Sequence, residues 1–254
     1  MIVAGIDVGA VATKAVIIRD DEIIGKAKVL SGFEQKESAV KALEKAIENA
    51  GISRSDIDHI GATGVGANTV DFAEKKFEDV VADAAGAVFT FPQARTVIDI
   101  GGEESRGIFI DGTGLVLDFA LNEKCAAGTG AFIEAMARSL EIEVEEIGEL
   151  SLSSEENLQI NAQCVIFAES EVVSLIHAET PKPDIARAVH EGIAARIVSM
   201  VRRSGIEDAV AVIGGVAYNE GFIDRLKARL GRDLLIPEDP QIVGAAGAAK
   251  LAAV

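Results

Sequence analysis

The chain has no tryptophan and a single tyrosine, and aromatic residues make up only 4% of its 254 positions. Its core must therefore be built from aliphatic side chains and alanine. Cysteine occurs twice, at Cys125 and Cys164, too few for a disulfide framework or for a closed four-ligand zinc or iron–sulfur site within one chain. The three histidines, His59, His177 and His190, lie far apart and share no ligand-like spacing with either cysteine, which marks them as structural residues. Basic residues are scarce: 24 Lys plus Arg stand against 41 Asp plus Glu, a formal net charge of −17. That balance argues against a phosphate-backbone partner such as nucleic acid. No apolar stretch approaches the roughly 18 uninterrupted residues of a membrane span. The opening MIVAGIDVGA lacks a basic segment and sets Asp7 among its apolar residues, which argues against a secretory leader and for a cytoplasmic location. No linker, low-complexity tract or long charge block divides the chain.

What is present is an apolar fraction of 49%, enough to bury one large core or two medium ones. Short apolar runs at 2–6, 15–18 and 23–30 predict an antiparallel meander. The 3.6-residue period over 33–50, with Gly51 as its stop, predicts an amphipathic helix. A strand at 57–63 and helices around 70–76 and 81–89 complete the first half. After Phe91-Pro92 the strand-first pattern restarts, with strands at 96–100, 106–110 and 115–120. Helices follow at 131–140, 165–177 and 184–203, then a strand at 209–213, a helix at 220–230, a strand at 234–236 and a small-residue helix at 242–253. The repeated order predicts two α/β lobes in close contact, with hinges near 91–94 and 237–240.

Three glycine-bearing turns each follow an apolar strand. In the first, Asp7-Val8-Gly9-Ala10, Gly9 lets backbone approach a phosphate closely, Thr13 or Lys14 meets it, and Asp7 suits hydrated Mg2+. The second is Asp99-Ile100-Gly101-Gly102-Glu103-Glu104, where Asp99 ends a strand and two glycines open the backbone beneath a triphosphate. The third, Gly214-Gly215-Val216, leads from a strand into a helix and suits an adenosine with a phosphate at the helix N-terminus. A lone turn of this kind is more often structural, but three in order point to a nucleotide. Their order resembles the acetate kinase, sugar kinase, actin and heat-shock chaperone superfamily. The resemblance runs through the closing IPEDPQIVGAAGAA. It implies a two-lobed, actin-like ATPase fold with ribonuclease H-like lobes and Mg-ATP in the interlobe cleft. Residues 1–94 with 241–254 would form the first lobe, carrying the first phosphate loop. Residues 95–240 would form the second, carrying the second phosphate loop, both cysteines and the adenosine loop.

Both cysteines directly precede predicted helical segments, where N-terminal amides and the helix dipole favour thiolate. The motifs KCAAGTGAF around Cys125 and CVIFAESEVVSLI from Cys164 resemble the ATPase family of 2-hydroxyacyl-CoA dehydratase activators and class I benzoyl-CoA reductase ATP-binding subunits. In that family each subunit gives two cysteines to one [4Fe–4S] cluster at a dimer interface. The resemblance implies Cys125 and Cys164 as cluster ligands, Asp7, Asp99 and Glu103 as catalytic acids, and an identical or sister ATPase subunit as partner. It also implies a CoA-thioester reductase or dehydratase as electron acceptor and ferredoxin or flavodoxin as donor. Where homodimeric activators usually read Asp-Ile-Gly-Gly-Gln-Asp, this chain has Glu103 and Glu104. That acidic pair, with HAETPKPDIARAVHEGIAARIVSMVRR, favours the D-type benzoyl-CoA reductase subunit over the homodimeric activator. A small-molecule kinase, or an ATP-switched scaffold of the actin or chaperone kind, would leave the paired cysteines unexplained.

Overall fold

The computed structural model describes residues 1–122, 125–156, 158–160 and 164–254. Glu123 and Lys124 of the first cysteine motif, and Asn161, Ala162 and Gln163 beside the second, lie outside the described residues. In the first half, β1 (Ile2–Val8), β2 (Ala12–Arg19) and β3 (Glu22–Leu30) form the expected meander. Asp20 and Asp21 turn the chain between β2 and β3 with positive φ, a conformation that Asp tolerates better than most side chains. Helix α1 (Gln35–Ala50) closes on Gly51 in the left-handed region, with the Gly51 N–H donating to the carbonyls of Ile47 and Glu48. Strand β4 (His59–Thr63) runs parallel to β1, and the two-residue β5 (Lys75–Lys76) runs parallel to β4.

The second half repeats this arrangement. Strands β6 (Thr96–Ile100), β7 (Ser105–Ile110) and β8 (Val116–Asn122) are antiparallel, while β9 (Val210–Ile213) runs parallel to β6 and β10 (Leu234–Leu235) parallel to β9. The sheet orders are β3-β2-β1-β4-β5 and β10-β9-β6-β7-β8, so each half is a meander extended by two parallel strands. Between β8 and β9 lie α3 (Gly130–Ser139), α4 (Glu146–Leu152), α5 (Val165–His177) and α6 (Lys182–Val201). With α7 (Glu220–Leu230) they cover one face of the second sheet, burying Phe132, Met136, Ile193 and Phe222 completely.

Helices α2 (Asp79–Thr90) and α8 (Val243–Ala252) join the halves. Ala84 and Ala87 of α2 pack with Val97, Ile108 and Ile110 of the second sheet. Ala245, Ala246 and Ala249 of α8 pack with Val3, Val16 and Ile18 of the first. The two helices touch each other almost backbone to backbone: a Cβ on Gly247 would lie 1.8 Å from the Ala82 carbonyl oxygen. Small residues are what permit that approach.

Two expectations change. Residues 70–76 are not a helix: a short helical turn, Ala67–Thr69, leads into β5. The Glu74 carboxylate accepts from the Ile60 N–H at 3.1 Å and lies 3.2 Å from His59 Nδ1, so tertiary bonding to the sheet edge overrides local helix propensity. Helix α4 has no counterpart among the expected elements, because seven residues give too little periodicity to detect. Among the described residues no helix is long and apolar enough to cross a membrane.

Candidate active site

A cleft of about 770 Å3 lies where the ends of β1, β6 and β9 converge. The β1–β2 turn reaches it first. Asp7 ends β1 and pairs across the ladder with Lys14 of β2, whose Nζ lies 2.7 Å from the carboxylate. Gly9 and Ala10 line the cleft beside them. Thr13 does not: strand alternation points it away from Lys14, and it is wholly buried. Its hydroxyl is 2.9 Å from Ser31 Oγ, which donates to the Gly9 carbonyl at 2.5 Å. Thr13 therefore braces the loop from behind and has no route to a phosphate.

The second loop repeats the device with a stronger base. Asp99 ends β6 and pairs across the ladder with Arg106 of β7, at 2.6 Å between carboxylate and guanidinium. Arg106 also meets Asp79 and Glu104, each at 2.6 Å, and Asp83 at 3.5 Å. Asp79 opens α2 and accepts from the Gly64 N–H at 2.6 Å and the Thr63 hydroxyl at 3.0 Å. Arg106 thus ties the second sheet to the end of β4 in the first. Gly101, Gly102 and Glu103 line the cleft in front of it.

Charge in this cluster is finely opposed. Burial pushes the Asp83 carboxyl well above the usual carboxylate range, and Asp99 pushes it the same way, while Arg106 pulls it down. Burial likewise raises Asp99 against the pull of Arg106. Burial works against the charge on Arg106, but Asp99, Asp83, Asp79 and Glu104 outweigh it and hold the guanidinium protonated. Asp83 Oδ2 has no hydrogen-bond partner.

The third turn completes the cleft. Gly214 has φ +87°, and a Cβ there would stand 2.4 Å from Asp99 Oδ1, so side-chain strain and a direct clash both demand glycine. Gly215 and Val216 line the wall in a short helical turn, Gly215–Tyr218, and Asn219 caps α7 by accepting from the Phe222 N–H at 2.9 Å. Lys26 pairs with Asp239 at 3.0 Å and Lys28 with Gln241, tying β3 to the segment after β10. Gly148 and Glu149 of α4 and Ile133 and Glu134 of α3 form the remaining wall. Asp79, Asp83, Arg106 and α4 are site elements that sequence reading missed.

His190 supports this wall from within α6. It is fully buried, and its Nε2 lies 3.1 Å from Asn219 Nδ2, a contact that fits a neutral ring accepting from the amide. Burial, and secondarily the Arg225 charge, push its pKa down to about 3. A folded pKa below the unfolded value of about 6.5 means stability that is complete above pH 6.5 and drains away as pH falls toward 3. The loss is about 1.4 kcal/mol per pH unit in that window. His190→Gln is expected to flatten the dependence between pH 6.5 and 5 in urea unfolding, and equal slopes in variant and parent would refute the assignment.

Neither cysteine lines the cleft. Cys164 is the residue capping α5, as expected, and its carbonyl accepts from the Ala168 N–H at 3.0 Å. Cys125 is different: α3 begins at Gly130, and the first amides of that helix are already used. Gly130 N–H donates to the Gly101 carbonyl at 2.9 Å and Ala131 N–H to the Gly102 carbonyl at 2.8 Å. The helix-terminus stabilisation expected for a thiolate at Cys125 is therefore redirected to the second phosphate loop. Among the described residues no group of three or more His, Cys, Asp or Glu side chains could hold a metal ion.

Two lobes of one topology, facing each other across a cleft lined by their strand-end loops, have the architecture of actin-like ATPases. A profile of the BadF/BadG/BcrA/BcrD ATPase family matches residues 4–252, and the chain belongs to that family. The structure of the Acidaminococcus fermentans (R)-2-hydroxyglutaryl-CoA dehydratase component A is similar with a TM-score of 0.95 at 37% identity, covering 99% of this chain and 97% of that one. The activator of lactoyl-CoA dehydratase from Anaerotignum propionicum is 38% identical over 98% of this chain and 96% of its own length. The D-type benzoyl-CoA reductase protein of Thauera aromatica is 32% identical over 98% and 92%. The preference for the D-type reading that Glu103 and Glu104 suggest is thereby reversed: two loop positions are outweighed by similarity along the whole chain, which is higher to the activators. Family membership also sets the kinase alternative aside.

Proposed function

We propose that the chain is the ATP-hydrolysing activator of a 2-hydroxyacyl-CoA dehydratase, acting as a homodimer with one [4Fe–4S] cluster held by Cys125 and Cys164 of both subunits. The observation that carries this reading is the surface at Cys164. The two residues Ile166 and Phe167, which follow it on α5, are 68% and 65% exposed, an apolar patch beside a lone thiol that a second copy would cover. The donor set fits the group: one chain offers two thiols and no further metal-binding constellation among the described residues, and two chains make a four-thiolate site. Such a cluster supplies one-electron chemistry at low potential when bound.

The cleft residues do the nucleotide work in this reading. Lys14, with Gly9 and Ala10, meets the phosphates, and Asp7 holds hydrated Mg2+. Gly101 and Gly102 open the backbone beneath the triphosphate, Asp99 and Glu103 set the acid environment of the attacking water, and Gly214, Gly215 and Val216 receive the adenosine. Closure of 1–94 with 241–254 on 95–240 couples nucleotide state to the cysteine-bearing elements. The partners are the dehydratase component as acceptor and a ferredoxin or flavodoxin as donor.

The test is iron content and mass of protein expressed alone and purified without oxygen. About two irons per chain in a dimer that activates a dehydratase component in an ATP-dependent way is expected. Iron that appears only on co-expression with a related ATPase chain would restore the reductase-subunit reading. Well-folded, ATP-binding protein that carries no iron under either condition would end both.

A further inference from the structure

We propose that Asn122 is a positioning residue that fastens the turn bearing Cys125 to the second phosphate loop, so that a shift of that loop on nucleotide exchange moves the thiol. The meaning of that movement for electron transfer rests on the function proposed above; its detection does not. The register of β7 and β8 ends with Ser105 opposite Asn122, which puts the last residue of β8 directly behind the 101–104 loop. Asn122 Nδ2 lies 2.9 Å from the Cys125 carbonyl, 3.1 Å from that of Ala127 and 3.3 Å from Ser105 Oγ. An amide nitrogen carries two protons, so three acceptors share two donors, and a movement of Ser105 redistributes the bonds to the Cys125 turn. Ser105 is wholly buried and has no slack of its own.

The other end of the turn is fixed to the same loop. The N–H groups of Gly130 and Ala131 donate to the carbonyls of Gly101 and Gly102, using the free amides of a helix start. Residues 125–131 are therefore stapled at both ends to the segment that faces the cleft. Helix α3, which begins at that second staple, packs on α5, whose cap is Cys164. The backbone staple cannot be removed by mutation of a side chain, but the Asn122 staple can, and this makes the coupling testable.

The experiment measures the alkylation rate of Cys125, resolved by peptide mass spectrometry, in the iron-free full-length chain with ADP or a non-hydrolysable ATP analogue. In the parent the two rates are expected to differ by about fivefold, the lower end of ordinary coupling between sites. In Asn122→Ala the difference collapses toward unity while nucleotide affinity stays close to that of the parent. Asn122→Asp, which presents an acceptor to two carbonyls, behaves the same way, and Ser105→Ala shows a partial loss. A purely structural role would change both rates together and leave their ratio intact, which would overturn the proposal, as would a parent with no nucleotide contrast. If Asn122→Ala fails to fold, the Ser105→Ala ratio decides. A clear contrast in a chain that binds no iron would instead sink the cluster reading and keep the coupling.

Discussion

Cys164→Ser is expected to lower iron from about two atoms per chain to near zero in anaerobically purified protein, with ATP binding within about twofold of the parent, since distant sites act independently. Serine is a poor substitute for a soft thiolate ligand, but it is among the best residues at a helix N-cap. At Cys164 the substitution therefore removes the ligand while supporting the start of α5, and loss of iron cannot be charged to a broken helix. Cys125→Ser is expected to lose iron equally, though its half-buried side chain packs against the second-lobe core and a modest fall in stability accompanies it. Iron content equal to the parent in either variant would remove the cluster from the proposed function, and loss of ATP binding alongside iron would show that thiols and cleft are not separate sites.

Much of the frame was legible because it rests on local chemistry. Alternation and turn residues located the meander of each half, and the 3.6 period with Gly51 located α1. The strand-end turns at Asp7, Asp99 and Gly214 were visible in order, and the structure brings them to one cleft. What sequence reading could not see was created by pairing across the sheets. Thr13 lies next to Lys14 in sequence, yet the strand period sends it to the opposite face, where Ser31 takes its hydroxyl. Arg106 looked like one more strand residue; only the register that sets it opposite Asp99, and the packing that delivers Asp79 and Asp83 from α2, reveal it as the hub of the site. A signal was present in retrospect: each half places an acid at the end of its first strand and a base at the facing position of its second, Asp7 with Lys14 and Asp99 with Arg106. The segment 70–76 reads as a helix because its Ala, Glu and Lys content speaks for the isolated stretch and not for the edge of a sheet.

The hub also carries the largest expected stability effect. Arg106 is the one cation in contact with Asp79, Asp83, Asp99 and Glu104 among the described residues, and its side chain is only 12% exposed. Arg106→Met keeps most of the volume and removes the charge, leaving buried carboxylates without compensation, a change that costs about 3–5 kcal/mol when one partner of a buried pair is deleted. A drop of that size should move the urea midpoint by about 1–3 M at an ordinary m-value. The pH dependence gives a second, independent sign. Burial already raises Asp83 and Asp99 above their unfolded values against the pull of Arg106, and removing Arg106 raises them further. Groups with raised folded pKa values contribute stability at low pH that is lost as pH rises through those values. The deficit of Arg106→Met relative to the parent must therefore be smallest in mild acid and grow toward neutral pH. Arg106→Lys restores a charge without the fork that spans four carboxylates, so it should recover part of the loss and soften the pH trend. A deficit that grows toward acid would mean that the carboxylates gain more from solvent than from Arg106, and the guanidinium would then be a passenger in the cleft.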